Sequence, residues 1–368
     1  MARSVAAPMP ETADSIPLSM TALIKPSAGP GAELAEVPVP TIGERDVLVR
    51  VDATSICGTD LHIYTWDEWA AGRMKPPIVF GHEFCGTVVR AGGEVSRVKL
   101  GDFVAAESHV VCGHCEECRA GELHACRNVE IIGVDRPGAF AQYVAIPEAN
   151  AWPVSGLPPE IATLEEPLGN AVHTVSSTPI VGADVAIFGL GPLGLFALRI
   201  AKVYGAARVF GIEVSPFRAR LGQAMGADRV LQPERDDIVG SLLEETGGEG
   251  VDVVLEMSGN QRAFAQALKA LRYGGTMALL GLPSHALEVD VADGIIFKGA
   301  TIKGIVGRRV PETWHQTRGL LENGVDMSPV VTETMPLGDF ERAFALLGEG
   351  RTGKIIMYPN QTEKGISA

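Results

Sequence analysis

Two short stretches carry the residue types that metal chemistry needs. Cys57-Gly58-Thr59-Asp60-Leu61-His62 supplies a thiolate from Cys57, a hydroxyl from Thr59 and an imidazole from His62. Downstream, Gly81-His82-Glu83 adds a second imidazole and a carboxylate, and Glu166 offers another carboxylate. Sulfur, nitrogen and carboxylate oxygen make up the ligand set of a zinc ion that keeps a position open for a substrate oxygen. Thr59 and His62, set among these candidates, can pass a proton to solvent. Taken alone, Cys57 and His82 read more readily as a small buried hydrophobe and a satisfied core histidine. The metal assignment therefore depends on what surrounds them.

Four further cysteines, Cys112, Cys115, Cys118 and Cys126, fall within fifteen residues as C-x2-C-x2-C-x7-C. Four thiolates close a tetrahedron around zinc, so a second ion here would be structural, fixing a loop with few apolar residues of its own. An iron–sulfur cluster is the rival for the same ligands and ranks below zinc. His114 and His124, inside this lobe, read as solvent-facing rather than ligating. Cys85 reads as a packing thiol. With no export signal, crowded cysteines favour metal over disulfides and point to the cytoplasm.

A third stretch, Gly189-Leu-Gly191-Pro-Leu-Gly194, is G-x-G-x-x-G. The motif alone is weak. Here it follows an apolar strand, Asp184 to Phe188, and opens an apolar helix, Leu193 to Tyr204. A second strand ends at Glu213, 19 residues past the last glycine. That context makes it a dinucleotide fingerprint. Gly189 permits the tight turn, Gly191 lets the backbone approach the pyrophosphate, and Gly194 lets the helix pack on the strand. The Glu213 carboxylate accepts from ribose hydroxyls and repels a 2′-phosphate, so NAD is expected rather than NADP, with Arg218 near the adenosine end.

These groups need elements to hold them. At 368 residues two domains are expected. From Met20 to about Ile146 short alternating runs separated by glycine and proline predict an all-β region, a partly closed barrel. Glu160 to Ser177 reads as helical, with Glu165-Glu166-Pro167 at a helix end; Glu165 reads equally as the acidic first turn that a helix dipole favours. From Asp184 onward strands and helices alternate, which predicts an α/β unit with a doubly wound parallel sheet. Leu280-Gly281-Leu282 and Ile305-Val306 fall at strand ends, where they could touch a nicotinamide or simply pack. Helices from Thr313 to Glu322 and Leu337 to Gly348, and a strand from Lys354 to Tyr358, return the chain to the first domain.

The formal charge of −14 opposes nucleic acid and anionic membrane as partners and leaves small molecules and self-association. The longest apolar run, Val185 to Leu198, has 14 residues and cannot span a bilayer. Residues 1–19, with three prolines and no apolar core, read as a disordered extension and not a secretory signal.

Together these features resemble the zinc-dependent medium-chain dehydrogenase family over about Met20 to Tyr358. The resemblance implies a β-rich GroES-like catalytic domain over residues 20–168, an NAD-binding Rossmann domain over 169–312 and a C-terminal return over 313–368. The words CGTDLHIYTWDEWA, GHE, CGHCEECRAGELHAC, EPLGNAVHT and GRRVPETW narrow it to the branch that oxidises the β-hydroxyl of L-threonine with NAD⁺. The resemblance places catalytic zinc on Cys57, His82 and Glu83, the proton relay on Thr59 and His62, and Glu166 beside the metal. NAD contacts carry over to Leu193, Glu213, Arg218, Leu280 to Leu282, Ile305 and Val306, and homotetramers are usual. A sorbitol- or 2,3-butanediol-type dehydrogenase on the same scaffold is the alternative. Arg308, Arg309 and Trp314 are candidates for the charged groups of the substrate. The chemistry agrees: an alcohol yields hydride only once near alkoxide, and zinc lowers the pKa of a bound oxygen from about 15.7 to roughly 7.

Overall fold

The computed structural model describes residues 16–361; most of the expected 1–19 extension, and residues 362–368, lie outside the described residues. In chain order the first half comprises β1 (Ser19–Lys25), β2 (Glu33–Pro38), β3 (Asp46–Ser55), α1 (Gly58–Thr65), α2 (Glu68–Arg73), β4 (Ile78–Val79), β5 (Glu83–Ala91) and β6 (Phe103–Ala106). Then follow β7 (His109–Val110), α3 (Glu116–Arg119), β8 (Glu130–Ile131), β9 (Tyr143–Pro147), β10 (Ala151–Pro153), α4 (Pro159–Ala162) and α5 (Glu165–Ser176). The second half runs β11 (Asp184–Phe188), α6 (Pro192–Val203), β12 (Arg208–Ile212), α7 (Pro216–Ala224), β13 (Arg229–Leu231), α8 (Ile238–Glu245), β14 (Val251–Glu256), α9 (Gln261–Ala270), β15 (Leu271–Leu279) and β16 (Thr301–Gly304). It ends with α10 (Glu312–Glu322), β17 (Val331–Pro336), α11 (Phe340–Gly348) and β18 (Lys354–Tyr358).

β3 is the hub of the first sheet, ordered β10-β6-β5-β3-β18-β17. One edge pairs with β5; the other is shared between β9 near its start and β18 at Thr54 and Ser55. The expected return of the last strand is thus a physical pairing with β3. The all-β reading of Met20 to about Ile146 needs correction, because α1, α2 and the short α3 lie inside it. Polar and apolar residues mix around α1, which hides its period. It starts because Cys57 caps it and Asp60 reaches back to the Cys57 N–H at 2.9 Å.

The second sheet is parallel throughout, in the order β13-β12-β11-β14-β15-β16, the doubly wound pattern. Near-continuous Val and Ile in β11 and β14 fit strands covered on both faces. α5 runs unbroken through residue 168 and packs between α6 and α10. Leu168, Val172 and Val175 on it are wholly buried, each contributing roughly 1.5–3 kcal/mol. Their core is continuous with β11, with Trp314 of α10, and with Ile356 of β18. No helix among the described residues is long and apolar enough to cross a membrane.

Candidate metal centres and dinucleotide cleft

Register explains how distant residues meet. Ser55 pairs with Glu83 across β3 and β5, so Cys57, just past the end of β3, lands beside His82, just before the start of β5. Donor atoms of Cys57, His82 and Glu83 all lie within 4.8 Å of one another. His82 and Glu83 are buried, and His82 Nδ1 has no hydrogen-bond partner among the described residues. The nearest anion, Asp60 Oδ1, is 3.5 Å away, also unpartnered, and placed to orient the ring. Burial would pull the imidazole pKa down, but Asp60 and Cys57 raise it well above the usual range. A thiol, a carboxylate and an orphaned ring nitrogen thus converge on one point, a donor set that suits a divalent cation.

Glu83 has a second engagement that sequence did not suggest. Its two oxygens both accept from Lys354 Nζ, the Oε1 contact being 2.5 Å, and Oε2 also accepts from the Ser55 hydroxyl. Both members of the pair are buried. Burial would lower the Lys354 pKa, yet Glu83 and Cys57 hold it above the usual value. Glu83 is within reach of an ion shared with Cys57 and His82, but part of its charge is already neutralised.

Thr59 and His62 both ride on α1. Thr59 Oγ1 lies 3.8 Å from Cys57 Sγ, while the His62 side chain is half exposed, with Nδ1 2.5 Å from Asp67 Oδ2. Glu166, second in α5, is buried outside the Cys57 cluster; its Oε1 accepts from Ser108 Oγ at 2.5 Å and forms an ion pair with Arg308 Nη1 at 2.8 Å.

Arg308 is the centre of a network that sequence reasoning missed. Nε and Nη2 donate to Glu107, Nη2 also donates to Ser108, Nη1 donates to Asn170, and Nη1 forms an ion pair with Glu166. Trp314 Nε1 donates to Glu107 Oε2 at 2.7 Å. Burial would raise the Glu107 pKa, but Arg308 pulls it down to about 2. Of the three candidates for the substrate's charged groups, Arg308 and Trp314 thus have their donors committed internally, which leaves Arg309. Burial, with Arg308 nearby, takes neighbouring His109 down to about 4, so its ring stays neutral. A glutamate just past the apolar run of β6, and a lysine opening β18, were the available signals.

In the cysteine lobe, between β7 and β8, Sγ of Cys126 lies 3.7 Å from that of Cys112 and 3.8 Å from that of Cys115. A tetrahedron with zinc–sulfur bonds of about 2.3 Å has edges of about 3.8 Å, so the spacing fits that ion. All four sulfurs lie within 4.8 Å, and all are free thiols. His114 is exposed as expected. His124 is not: it turns inward, with its ring 5.2 Å from that of His173.

The fingerprint turn is built as its glycines require. Gly189 has φ +95°, and a Cβ on Gly194 would sit 1.9 Å from the Gly189 carbonyl oxygen. A Cβ on Gly191 would meet nothing, which is the open side a pyrophosphate needs. A cavity of about 570 Å³ lies there, lined by Gly189, Gly191, Glu213, Arg218, Met257 and Asn260 among others. The buried Glu213 carboxylate accepts from Leu190 N at 2.7 Å and Ser215 N at 2.8 Å, leaving lone pairs toward the cavity. Leu193, Leu280, Gly281, Leu282, Ile305 and Val306 lie outside this lining. The last five follow the C-terminal ends of β15 and β16, with Leu282 and Val306 exposed. Both groups of residues thus lie at the carboxyl edge of the parallel sheet.

Known proteins match along nearly the whole chain. Residues 43–156 match the alcohol dehydrogenase GroES-like domain and residues 192–323 the zinc-binding dehydrogenase family. An L-threonine 3-dehydrogenase of Caldanaerobacter subterraneus subsp. tengcongensis is 47% identical, covering 92% of this chain and 99% of its own. One of Symbiobacterium thermophilum is 49% identical, covering 93% and 98%. The crystal structure of 2R,3R-butanediol dehydrogenase from Bacillus subtilis superposes with a TM-score of 0.84 at 28% identity, covering 93% and 100%. With relatives this similar over this much of its length, the chain belongs to the zinc-dependent medium-chain dehydrogenase family.

Proposed function

We propose that this protein oxidises the β-hydroxyl of L-threonine to 2-amino-3-oxobutanoate and passes the hydride to NAD⁺. The observation that carries the chemistry is the meeting of Cys57, His82 and Glu83 at one point, with Thr59 and His62 on the adjoining helix. Zinc held by those three side chains would act as a Lewis acid on the substrate hydroxyl. The chain's own residues do the rest. Thr59 takes the hydroxyl proton and hands it to His62, whose exposed ring releases it to water. Glu166, with one oxygen pinned by Arg308 and Ser108, keeps a fixed carboxylate near the ion. Gly191 admits the pyrophosphate while Gly189 makes the turn and Gly194 lets the helix pack on the strand, Glu213 with Arg218 holds the adenosine ribose, and Leu193, Leu280 to Leu282, Ile305 and Val306 seat the nicotinamide end. A second zinc on Cys112, Cys115, Cys118 and Cys126 is structural.

The choice of L-threonine draws on the 47–49% relatives, against 28% for the butanediol enzyme. We also propose a cytoplasmic homotetramer, with a catalytic unit over 20–168 and 313–368 and an NAD-binding unit over 169–312. The free outer edge of β16, flanked by exposed Tyr273, Ile296 and Phe297, supports self-association. The test is NAD⁺ reduction with L-threonine, sorbitol, 2,3-butanediol and simple secondary alcohols, with and without chelator. L-Threonine should be preferred and chelation should abolish turnover; a threonine rate no better than that of simple alcohols moves the assignment to a polyol or secondary-alcohol dehydrogenase.

A further inference from the structure

We propose that Asp67 is a positioning residue for the proton relay, holding His62 in the tautomer that carries its proton on Nδ1 and leaves Nε2 as the acceptor. The inference rests on the reading that Thr59 and His62 carry the substrate proton, and it assigns work to a residue of the Trp66-Asp67-Glu68-Trp69 stretch that the proposed chemistry leaves unused.

The geometry begins where α1 stops. Trp66 adopts a left-handed conformation, φ +60°, and is the only non-glycine residue at positive φ among the described residues. Such a conformation is strained for a residue with a bulky side chain, so something must hold it. Lys25 Nζ sits 4.9 Å above the indole ring, and the N–H groups of Trp66 and Asp67 both donate to the His62 carbonyl, at 2.9 and 3.3 Å. This reversal folds Asp67 back over the helix it has just left. Its Oδ2 then lies 2.5 Å from His62 Nδ1, while Oδ1 accepts the Ala70 N–H at 3.0 Å and caps α2. The carboxylate is tied at both ends, which fixes its direction.

The charge follows from the same contacts. Burial would raise the Asp67 pKa, but the Ala70 N–H and His62 outweigh it, so the group stays anionic. An anionic carboxylate can only accept, and the shared proton must therefore sit on Nδ1. Of the groups around the ring, Asp67 alone pairs with it among the described residues. From α2 the Trp69 ring approaches edge-on at 6.3 Å, and from β1 Lys25 faces Trp66. In turnover the substrate hydroxyl proton goes to Thr59 Oγ1 as the Thr59 proton passes to Nε2. The imidazolium formed is balanced by Asp67, and the Nε2 proton then leaves to water, restoring the starting state.

Two variants separate positioning from mere stability. In Asp67→Asn the amide oxygen still caps α2, but the amide N–H₂ now donates to Nδ1 and drives the proton to Nε2, the wrong tautomer for accepting. In Asp67→Ala the cap is lost but the ring is free to choose. Asp67→Asn should keep its zinc and its melting temperature and lose about 10- to 100-fold in kcat. Asp67→Ala should melt lower yet turn over faster than Asp67→Asn. A kcat order that follows stability, with the alanine variant slower, overturns the proposal. Nitrogen-15 NMR, with the His62 signals assigned by comparison with His62→Ala, should show Nδ1–H in the wild type and Nε2–H in Asp67→Asn. Nε2–H in the wild type also overturns it. Turnover is measured on whichever alcohol the wild type oxidises. A failure of L-threonine as substrate therefore counts against the proposed function alone, and the tautomer measurement needs no substrate.

Discussion

Replacing Arg308 by methionine removes a cation that holds two carboxylates at once. The structure sets the size of the effect. Arg308 takes Glu107 from a usual 4.5 down to about 2, and at about 1.4 kcal/mol per pH unit that gap is worth about 3 kcal/mol. The general cost of breaking a buried pair by deleting one partner, about 3–5 kcal/mol, agrees. Because the folded pKa of Glu107 is depressed, its stabilisation is complete above about pH 4.5 and is lost in the wild type only as pH falls toward 2. In Arg308→Met the unpaired carboxylate is pushed up by burial instead. The loss should therefore be largest at pH 8 and shrink by pH 5.5, as Glu107 takes up a proton. Urea unfolding at fixed protein concentration, followed by circular dichroism at both pH values, measures this. Arg308→Lys, which keeps the charge but cannot fork between Glu107 and Glu166, should fall between wild type and Arg308→Met. A loss below about 1 kcal/mol, or one equal at both pH values, would refute the pairing argument.

Glu165 should behave in the opposite sense. Burial raises it to about 7 and neither oxygen has a hydrogen-bond partner among the described residues, so its penalty grows between pH 4.5 and 7 and is complete above. Glu165→Gln should raise Tm at pH 8 and not at pH 5, as differential scanning calorimetry would read. Cys115→Ser should lower zinc content by one ion per chain and lower Tm, with kcat at low temperature little changed; metal analysis with calorimetry checks both. In Glu213→Ala two N–H groups, of Leu190 and Ser215, lose their acceptor. KM for NAD⁺ should rise about tenfold or more while the preference over NADP⁺ narrows, as steady-state kinetics would show.

The residues that do chemistry in one place were legible from sequence where spacing is local. The four cysteines of the lobe, the glycines of the fingerprint and the acid ending the second strand of the parallel sheet sit at separations fixed by a loop or by one βα unit, so their geometry follows from the motif. The central strands β11, β12 and β14 were legible too, because burial on both faces leaves nearly continuous apolar runs. What pairs across long separations was not. Glu83 reads as a ligand in sequence, and only the pairing of β18 with β3 brings Lys354 against it, 271 residues away. Arg308 reads in sequence as a candidate for the substrate's charged groups, and only the fold seats it beside Glu107, 201 residues distant. The α1 helix was hidden because its start depends on a cap and not on a stripe, and the contact between Asp67 and His62 depends on a left-handed turn at Trp66 that no residue preference announces. Local spacing thus determined which atoms could bind metal and dinucleotide, whereas tertiary pairing decided which charges neutralise them and which remain free to react, because a buried charge takes its partner from whatever the fold brings within hydrogen-bond reach.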